Sequence, residues 1–353
     1  MRHLAFVAAA SLALAACGQS SDKAAPQDAG AGQVWAAGSS TVFPFATRVA
    51  ENVARTSGGA AAKVESLGTG GGFKMFCGGM GSDYPDIANA SRAMKKSEWD
   101  DCQAAGVTDI VEIKIGYDGI VVANAKGGAA YDLGLEHIYR ALAAETPAGS
   151  GFAKNAAKTW AEVDAALPKD AIRVYGPPPT SGTRDAFLEL GMEKGAGKIA
   201  VLKALKDSDE DAFKTRAHTI RQDGAWLDAG ENDNAIVQTL TKTPGAVGVF
   251  GYSFLENNLD QVKPAAVEGV QPSIATISDG SYPLSRSLFI YVKKANVASK
   301  PALQAFVNAF VSDAAGGQGG YLQDRGLIPL PAAERAVQKD AAASLKTMTA
   351  PAK

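Results

Sequence analysis

Three short segments rich in glycine, serine and threonine carry the residue types that bind anions. They span residues 38–44, 68–73 and 180–185. Each lies between a predicted strand and a predicted helix, where the first N–H groups of the helix have no partner within it. Glycine lets an anion approach the backbone closely, and the hydroxyl groups add donors. Three such segments that meet at one point can replace the water around a tetrahedral oxyanion.

Each segment taken singly also has an explanation without a ligand. A Ser or Thr before a helix is an ordinary N-cap, and a run of glycines is an ordinary turn. The binding hypothesis therefore depends on the three segments occurring together at strand–helix junctions. In the third segment, Arg184 adds a guanidinium that can bind two oxygens of one anion.

The elements that position these segments alternate between strand and helix, which is typical of α/β domains with mostly parallel sheets flanked by helices. Strands are predicted at 34–37, 63–67, 87–90, 171–175, 246–250 and 287–292, with two further strand-like runs in 109–125 broken at 116–119. Helices are predicted around 46–53, from 72, from 97 with Ser97 as N-cap, at 135–144, from 183, at 234–241, at 302–311 and after Pro331.

Length and charge limit the classes of function. A chain of 353 residues is long enough for about two domains. Its net charge is −2, and its basic residues form no cluster in the sequence, so a nucleic-acid partner is not expected. An anionic small molecule is not excluded, because local N–H and hydroxyl donors bind anions without a global positive charge.

The N-terminus has the pattern of a processing signal. Residues 4–16 are apolar but too few to span a bilayer as a helix, and they end at Cys17. We expect 1–16 to be a lipoprotein signal peptide, Cys17 to be lipidated, and 17–32 to be a flexible tether. Gly18 resembles the pattern of lipoproteins sorted to the outer membrane, so a periplasmic or cell-surface lipoprotein is expected. An ordinary secretory signal with an accidental cysteine is the alternative.

Two further cysteines, Cys77 and Cys102, remain after the signal. In the oxidising compartment that a secretory signal implies, a single pair usually forms a disulfide. Two buried free thiols are the alternative. Redox catalysis is not expected, since the chain has no Cys-x-x-Cys motif.

Several stretches together carry a resemblance to a known family. They are Gly-Ser-Ser-Thr-Val-Phe-Pro at 38–44, Gly-Thr-Gly-Gly-Gly at 68–72, Asp-Ile-Ala-Asn-Ala-Ser-Arg at 86–92, Ser-Gly-Thr-Arg at 181–184, Glu-Asn-Asp-Asn at 231–234 and Pro-Gly-Ala-Val-Gly at 244–248. Over residues 35–329 the chain resembles the phosphate-binding protein of the phosphate ABC importer, a type II periplasmic binding protein. The resemblance implies two α/β domains joined by two crossover strands, which close over phosphate.

The resemblance also supplies a set of expected site residues. The candidate phosphate-binding residues are Ser39, Ser40, Thr41, Thr69, Gly70, Ser91, Arg92, Asp118, Ser181, Gly182, Thr183 and Arg184. The chain departs from the family at Arg92, where well-known members carry an acidic residue that accepts the proton of hydrogen phosphate, and at 176–179, which lacks the family's Arg and Asp. Asp118 is the candidate proton acceptor instead, with a plain turn aspartate as its alternative.

The expected organisation is domain I at 33–124 and 285–345 and domain II at 125–284. We expect a monomer that delivers phosphate to the permease subunits of an ABC importer, without a cofactor, a metal ion or catalytic residues. A phosphatase is the main enzyme alternative, but the chain's three histidines are isolated and no metal-ligand or nucleophile motif is present. A scavenging, sensing or secretion-associated lipoprotein, and a binder of sulfate or molybdate, stay open.

Overall fold

The computed structural model describes residues 32–149, 151–230 and 232–352. The predicted signal peptide, the lipidation site Cys17 and all but the last residue of the predicted tether lie outside the described residues. The strands are β1 (Trp35–Gly38), β2 (Lys63–Ser66), β3 (Ile87–Ala90), β4 (Ile110–Ala125), β5 (Asp132–Leu133), β6 (Glu145–Ala148), β7 (Gly151–Lys154), β8 (Val174–Gly176), β9 (Trp226–Asp228), β10 (Val247–Gly251), β11 (Val262–Pro264), β12 (Ala266–Val267) and β13 (Ser285–Lys293).

Helices follow most of these strands, as the sequence pattern predicts. They are α1 (Phe43–Ser57), α2 (Gly68–Phe76), α3 (Lys96–Ala104), α4 (Leu135–Leu142), α5 (Trp160–Val163), α6 (Gly182–Phe187), α7 (Lys194–Ala196), α8 (Ala200–Ser208), α9 (Glu210–His218), α10 (Asp233–Lys242), α11 (Tyr252–Glu256), α12 (Ile274–Ser278), α13 (Lys294–Val297), α14 (Pro301–Val311), α15 (Asp313–Gly316) and α16 (Ala332–Ser344). A π-helical segment, Leu188–Glu193, joins α6 to α7, and a 3₁₀ turn spans Gln323–Arg325.

The two longest strands connect two halves of one curled sheet, whose order is β2-β1-β3-β13-β4-β10-β8-β9 with β11 also on β4. The first part of β4 pairs with β13 up to Gly119, which lies opposite Ser285. From Ile120 onward, β4 pairs with β10. We call the part built on β1, β2, β3 and β13 the first lobe, and the part built on β8, β9, β10 and β11 the second lobe.

Each lobe has its own apolar core. In the first lobe, α1 and α14 pack on one face of the sheet, and α2 and α3 cover the other. In α1, apolar side chains three and four residues apart, such as Ala46, Val49 and Ala50, form the buried face. The second lobe buries aromatic side chains that include Trp160, Phe187 and Phe250. Two cores joined by a few strands are the arrangement that permits one lobe to move against the other.

Three local predictions are wrong. Residues 116–119 are no break, because β13, far along the chain, pairs with this stretch and keeps β4 extended. The second glycine-rich segment is not a loop but the start of α2; a Cβ on Gly72 would lie 2.4 Å from the Cα of Gly38, so only glycine lets α2 pack this closely on β1. Helix α3 begins at Lys96 rather than after Ser97.

The predicted disulfide between Cys77 and Cys102 is confirmed, and it joins the end of α2 to α3. None of the helices in the described ranges is long and apolar enough to cross a membrane.

Candidate functional site

A cleft of about 590 Å³ lies between the two lobes. The N-terminal ends of α1, α6 and α10, the middle of β4 and the turn after the 3₁₀ segment line it. The lining residues are Ser40, Thr41, Phe43, Pro44, Phe45, Asp118, Thr180, Ser181, Gly182, Thr183, Asn232, Asp233, Asn234, Gly251, Phe254, Asp324, Arg325 and Gly326. Three helices therefore direct the positive ends of their dipoles at one space, which favours an anion there.

The first segment places Ser40 and Thr41 in this cleft at the start of α1. Ser39 lies outside the cleft: its N–H donates to the Asn89 carbonyl at 2.8 Å, and its Oγ accepts from the N–H of Val42 at 3.4 Å. These two bonds fix the turn between β1 and α1. The Thr41 hydroxyl, held by that turn, donates to the carbonyl oxygen of Gly182 at 3.3 Å. A residue of the first lobe thus contacts the second lobe directly.

The third segment faces the first across the cleft. Ser181 is the N-cap of α6, and its Oγ accepts from the N–H of Thr183 at 3.2 Å. A Cβ on Gly182 would lie 2.8 Å from the Ser40 carbonyl oxygen and 3.0 Å from the Thr41 Cα. The two backbones are therefore in contact, and the structure describes a closed cleft.

A third helix end, that of α10, completes the wall on the side of the second lobe. Asn232 caps α10 by accepting from the N–H of Asn234 at 3.1 Å, and Asp233 Oδ2 accepts from the N–H of Gly251 at 2.9 Å. These residues belong to a stretch that carried the family resemblance, but sequence reasoning did not include them in the site.

Arg325 lines the cleft, and a second arginine lies beside the cleft; sequence reasoning missed both. The second arginine is Arg286, near the start of β13. Its side chain is only 7% exposed. Its Nη2 donates to the Thr41 hydroxyl, its Nη1 donates to the Ser91 Oγ at 3.1 Å, and its Nε donates to Asp118 Oδ2 at 3.3 Å. Nη1 also donates to Glu189 of the π-helical segment. One guanidinium thus joins residues from four separate parts of the chain.

Asp118 lies on β4 directly opposite Arg286 in the strand register, so it is a strand residue and not a turn aspartate. Its carboxyl lines the cleft and is almost fully buried. Burial raises the pKa of Asp118 above its ordinary value, Arg286 opposes this rise, and the charge of Glu189 adds to it. The result is a buried carboxyl whose proton affinity is increased, in a position to face a bound anion.

The second segment does not line the cleft but connects to it through Ser91. Thr69 Oγ1 accepts from the N–H of Ser91 at 3.1 Å, and the two hydroxyl oxygens are 3.0 Å apart. The Ser91 hydroxyl in turn accepts from Arg286. Gly70 is exposed and contributes no contact to the cleft wall.

Neither of the two predicted arginines reaches the cleft wall. Arg92 makes a two-point ion pair with Glu98 at 2.6 and 2.8 Å. Arg184 lies 4.4 Å from the centre of the Trp226 ring, and its Nη1 donates to the Pro177 carbonyl at 3.0 Å and to Asp228 at 3.2 Å. The structure therefore brings the first and third segments together at one cleft, with Arg325 in its wall and Arg286 beside it.

This arrangement can hold an anion by hydrogen bonds from several directions. Helix N–H groups, the hydroxyls of Ser40 and Thr183 and the guanidinium of Arg286 are donors, and Asp118 is an acceptor. Among the residues that the structure describes, no histidine or cysteine lines the cleft. In the described ranges, no group of three or more His, Cys, Asp or Glu side chains has the arrangement that holds a metal ion.

The fold and site define a solute-binding protein of two lobes, and the comparisons agree. The chain belongs to the PBP superfamily, whose family model matches residues 23–314. This match confirms both the resemblance stated from the sequence and the predicted fold of a type II periplasmic binding protein.

Particular relatives carry more specific names. The chain is 31% identical to the phosphate-binding protein PstS of Staphylococcus saprophyticus over 91% of this chain and 87% of that protein. It is 32% identical to the protein SphX of Synechococcus elongatus over 85% of this chain and 78% of that protein. The crystal structure of a possible phosphate-binding protein from Planctomyces limnophilus superposes with a TM-score of 0.71 at 28% identity, covering 89% of this chain and 98% of that one.

Proposed function

We propose that this protein binds inorganic phosphate in the cleft between its lobes and delivers it to the permease of an ABC importer. One observation carries the proposal: the hydroxyl of Thr41 in the first lobe meets both Gly182 of the second lobe and the guanidinium of Arg286. The convergence of donors from both lobes suits an oxyanion that is enclosed when the lobes close. The names of the relatives support phosphate as that anion.

In this proposal each wall of the cleft has a separate task. Ser40 and Thr41 donate from the start of α1, and Ser181, Gly182 and Thr183 donate from the start of α6. Arg286 supplies the positive charge, while Ser91 and Thr69 hold its guanidinium in place from behind. The proposed two-domain division and hinge motion rest on the two cores and on strand β4, which pairs with β13 in the first lobe and with β10 in the second.

Asp118 is the proposed selectivity residue. A carboxylate that faces the bound anion repels sulfate, which carries no proton at neutral pH. It accepts a hydrogen bond from hydrogen phosphate, which does carry one. In this chain Arg92 stands where well-known family members carry an acidic residue, and Asp118 on β4 then supplies the carboxylate instead.

Isothermal titration calorimetry of the purified protein with phosphate, sulfate and molybdate tests the ligand. We expect phosphate to bind with a micromolar or lower dissociation constant at neutral pH, and sulfate and molybdate to bind far more weakly. Absence of heat with phosphate, or equal affinity for sulfate, contradicts the proposal.

Binding without catalysis is part of the proposal, since the cleft lining contains no histidine or cysteine from the described ranges. Hydrolysis of p-nitrophenyl phosphate above the rate of a heat-denatured sample would favour a phosphatase instead. Delivery to an importer is tested by phosphate uptake in cells that lack this chain. Uptake that persists at low phosphate would favour a scavenging, sensing or secretion-associated role.

We also propose a monomer outside the cytoplasm, whose lipid anchor is inferred from the apolar stretch that ends at Cys17. Mass spectrometry of the N-terminal peptide tests the anchor. An acylated peptide that begins at Cys17 is expected, and an unmodified thiol there would contradict it.

A further inference from the structure

Glu189 accepts a hydrogen bond from Arg286, the cation that the proposed ligand needs. An arginine guanidinium has five N–H donors. In Arg286 one donates to Asp118, one to Ser91, one to Thr41 and one to Glu189. Only one N–H is left for an anion, whereas a two-point bond to an oxyanion needs two.

The two acidic partners of Arg286 differ in how easily they can leave. The Asp118 side chain is 11% exposed, but the Glu189 side chain is 51% exposed. Glu189 also lies in the π-helical segment Leu188–Glu193, a helix type that occurs mostly as short insertions, often at functional sites. A half-exposed carboxylate can turn into water at small cost, while a buried one cannot.

The local charge also favours the release of Glu189 from Arg286 when an anion binds. Two carboxylates on one guanidinium give this group of three side chains a net negative charge, which opposes the binding of an anion to Arg286. Release of Glu189 removes that excess and frees an N–H of Nη1 next to the free N–H of Nη2. Two free N–H groups on one guanidinium match the number that a two-point bond to phosphate needs.

We propose that Glu189 is an internal competitor of the ligand, which pairs with Arg286 and is displaced when the anion binds. This inference rests on the proposed function and adds to it a residue that sets the affinity. The carboxylate of Glu189 accepts an N–H of Arg286 that the oxyanion would otherwise accept, so removal of this carboxylate strengthens the binding of the anion. If the Glu189–Arg286 pair only stabilised the closed arrangement of the lobes, removal of Glu189 would instead weaken the binding of the anion.

The test compares three substitutions by calorimetric titration with inorganic phosphate at low ionic strength. Glu189→Gln removes the charge, and Glu189→Asp keeps the charge but shortens its reach. Glu210→Gln is the matched control, because it removes an equal charge from an exposed pair with Lys214 in the same lobe. Exposed ion pairs are worth about 0.2–1 kcal/mol, so both Glu189 variants should bind phosphate about 1.4-fold to fivefold more tightly than wild type. The control should match wild type.

Equal or weaker phosphate binding by Glu189→Gln overturns the inference. An effect of the control as large as that of Glu189→Gln also overturns it, because it would show a general charge effect. If Glu189→Gln binds phosphate more tightly but Glu189→Asp binds it like wild type, the charge of Glu189 alone explains the effect. That result overturns the inference that Glu189 competes through its contact with Arg286. Failure of wild type itself to bind phosphate is a different result, which contradicts the proposed function.

Discussion

Replacing Arg286 with methionine keeps most of the side-chain volume and removes the guanidinium that joins Thr41, Ser91 and Asp118. Hydrogen bonds to charged groups contribute about 1.5–3 kcal/mol each. Two such bonds to phosphate amount to about 3–6 kcal/mol, which corresponds to a loss of affinity of roughly two to four orders of magnitude. Calorimetric titration with phosphate measures this loss directly.

The same substitution also leaves Asp118 buried without its cation. Breaking a buried ion pair by removing one partner costs about 3–5 kcal/mol of stability. Urea denaturation of the ligand-free variant should show this loss, and the double variant with Asp118→Asn should recover most of it. Because this double variant is folded but lacks the guanidinium, its phosphate affinity shows the effect of Arg286 on binding without an effect on folding.

Arg92 offers a matched control, because the sequence placed it in the site and the structure pairs it with Glu98. Arg92→Met removes the same charge from the same lobe, yet its phosphate affinity should stay close to that of wild type. The reasoning is refuted if a folded Arg286 variant binds phosphate within about threefold of wild type, a difference of less than 1 kcal/mol. It is also refuted if the Arg92 variant loses as much affinity as the Arg286 variant.

Three further outcomes follow from particular contacts. Gly182→Ala places a Cβ 2.8 Å from the Ser40 carbonyl oxygen, so it should weaken phosphate binding at least about tenfold by opposing closure; unchanged affinity would contradict this. Burial raises the pKa of Asp118 above 3.8, so ionisation of this carboxyl as the pH rises lowers the stability of the ligand-free wild type. Asp118→Asn removes this contribution, so between about pH 4 and pH 7 its melting temperature should fall less, or rise more, than that of wild type; an equal or larger fall in the variant would show the sign to be wrong. Serine at both Cys77 and Cys102 should lower the free energy of unfolding by about 3 kcal/mol for a separation of 25 residues, measured by urea denaturation, and equal midpoints would count against it.

Local signals in the sequence predicted much of the fold. The period of apolar residues located α1 and α14, and short β-rich runs located β1, β3 and β13. The extended path of β4 through residues 116–119 was not predictable, because its partner in β13 is about 170 residues away along the chain. Helix α2 was predicted to start too late, since glycine disfavours helices and only close packing on β1 explains its use there.

The same division holds for the site. Ser40, Thr41 and residues 181–183 were recognisable because each precedes a helix, and the structure brings them together. Arg286 has no such local signal: it is one arginine at the start of a strand, and the partners that give it a role lie 97 to 245 residues away. Arg92 was favoured by its neighbour Ser91, but the carboxylate of Glu98 in the first turn of α3 takes its guanidinium.

The central claim is that donors from both lobes enclose one tetrahedral anion. A crystal structure of the protein grown with phosphate tests it most directly. We expect density for a tetrahedral anion within hydrogen-bond distance of the Ser40 hydroxyl, the Thr183 hydroxyl and the Arg286 guanidinium, with both lobes in contact with it. An empty cleft at saturating phosphate, or an anion held elsewhere on the chain, would contradict the account.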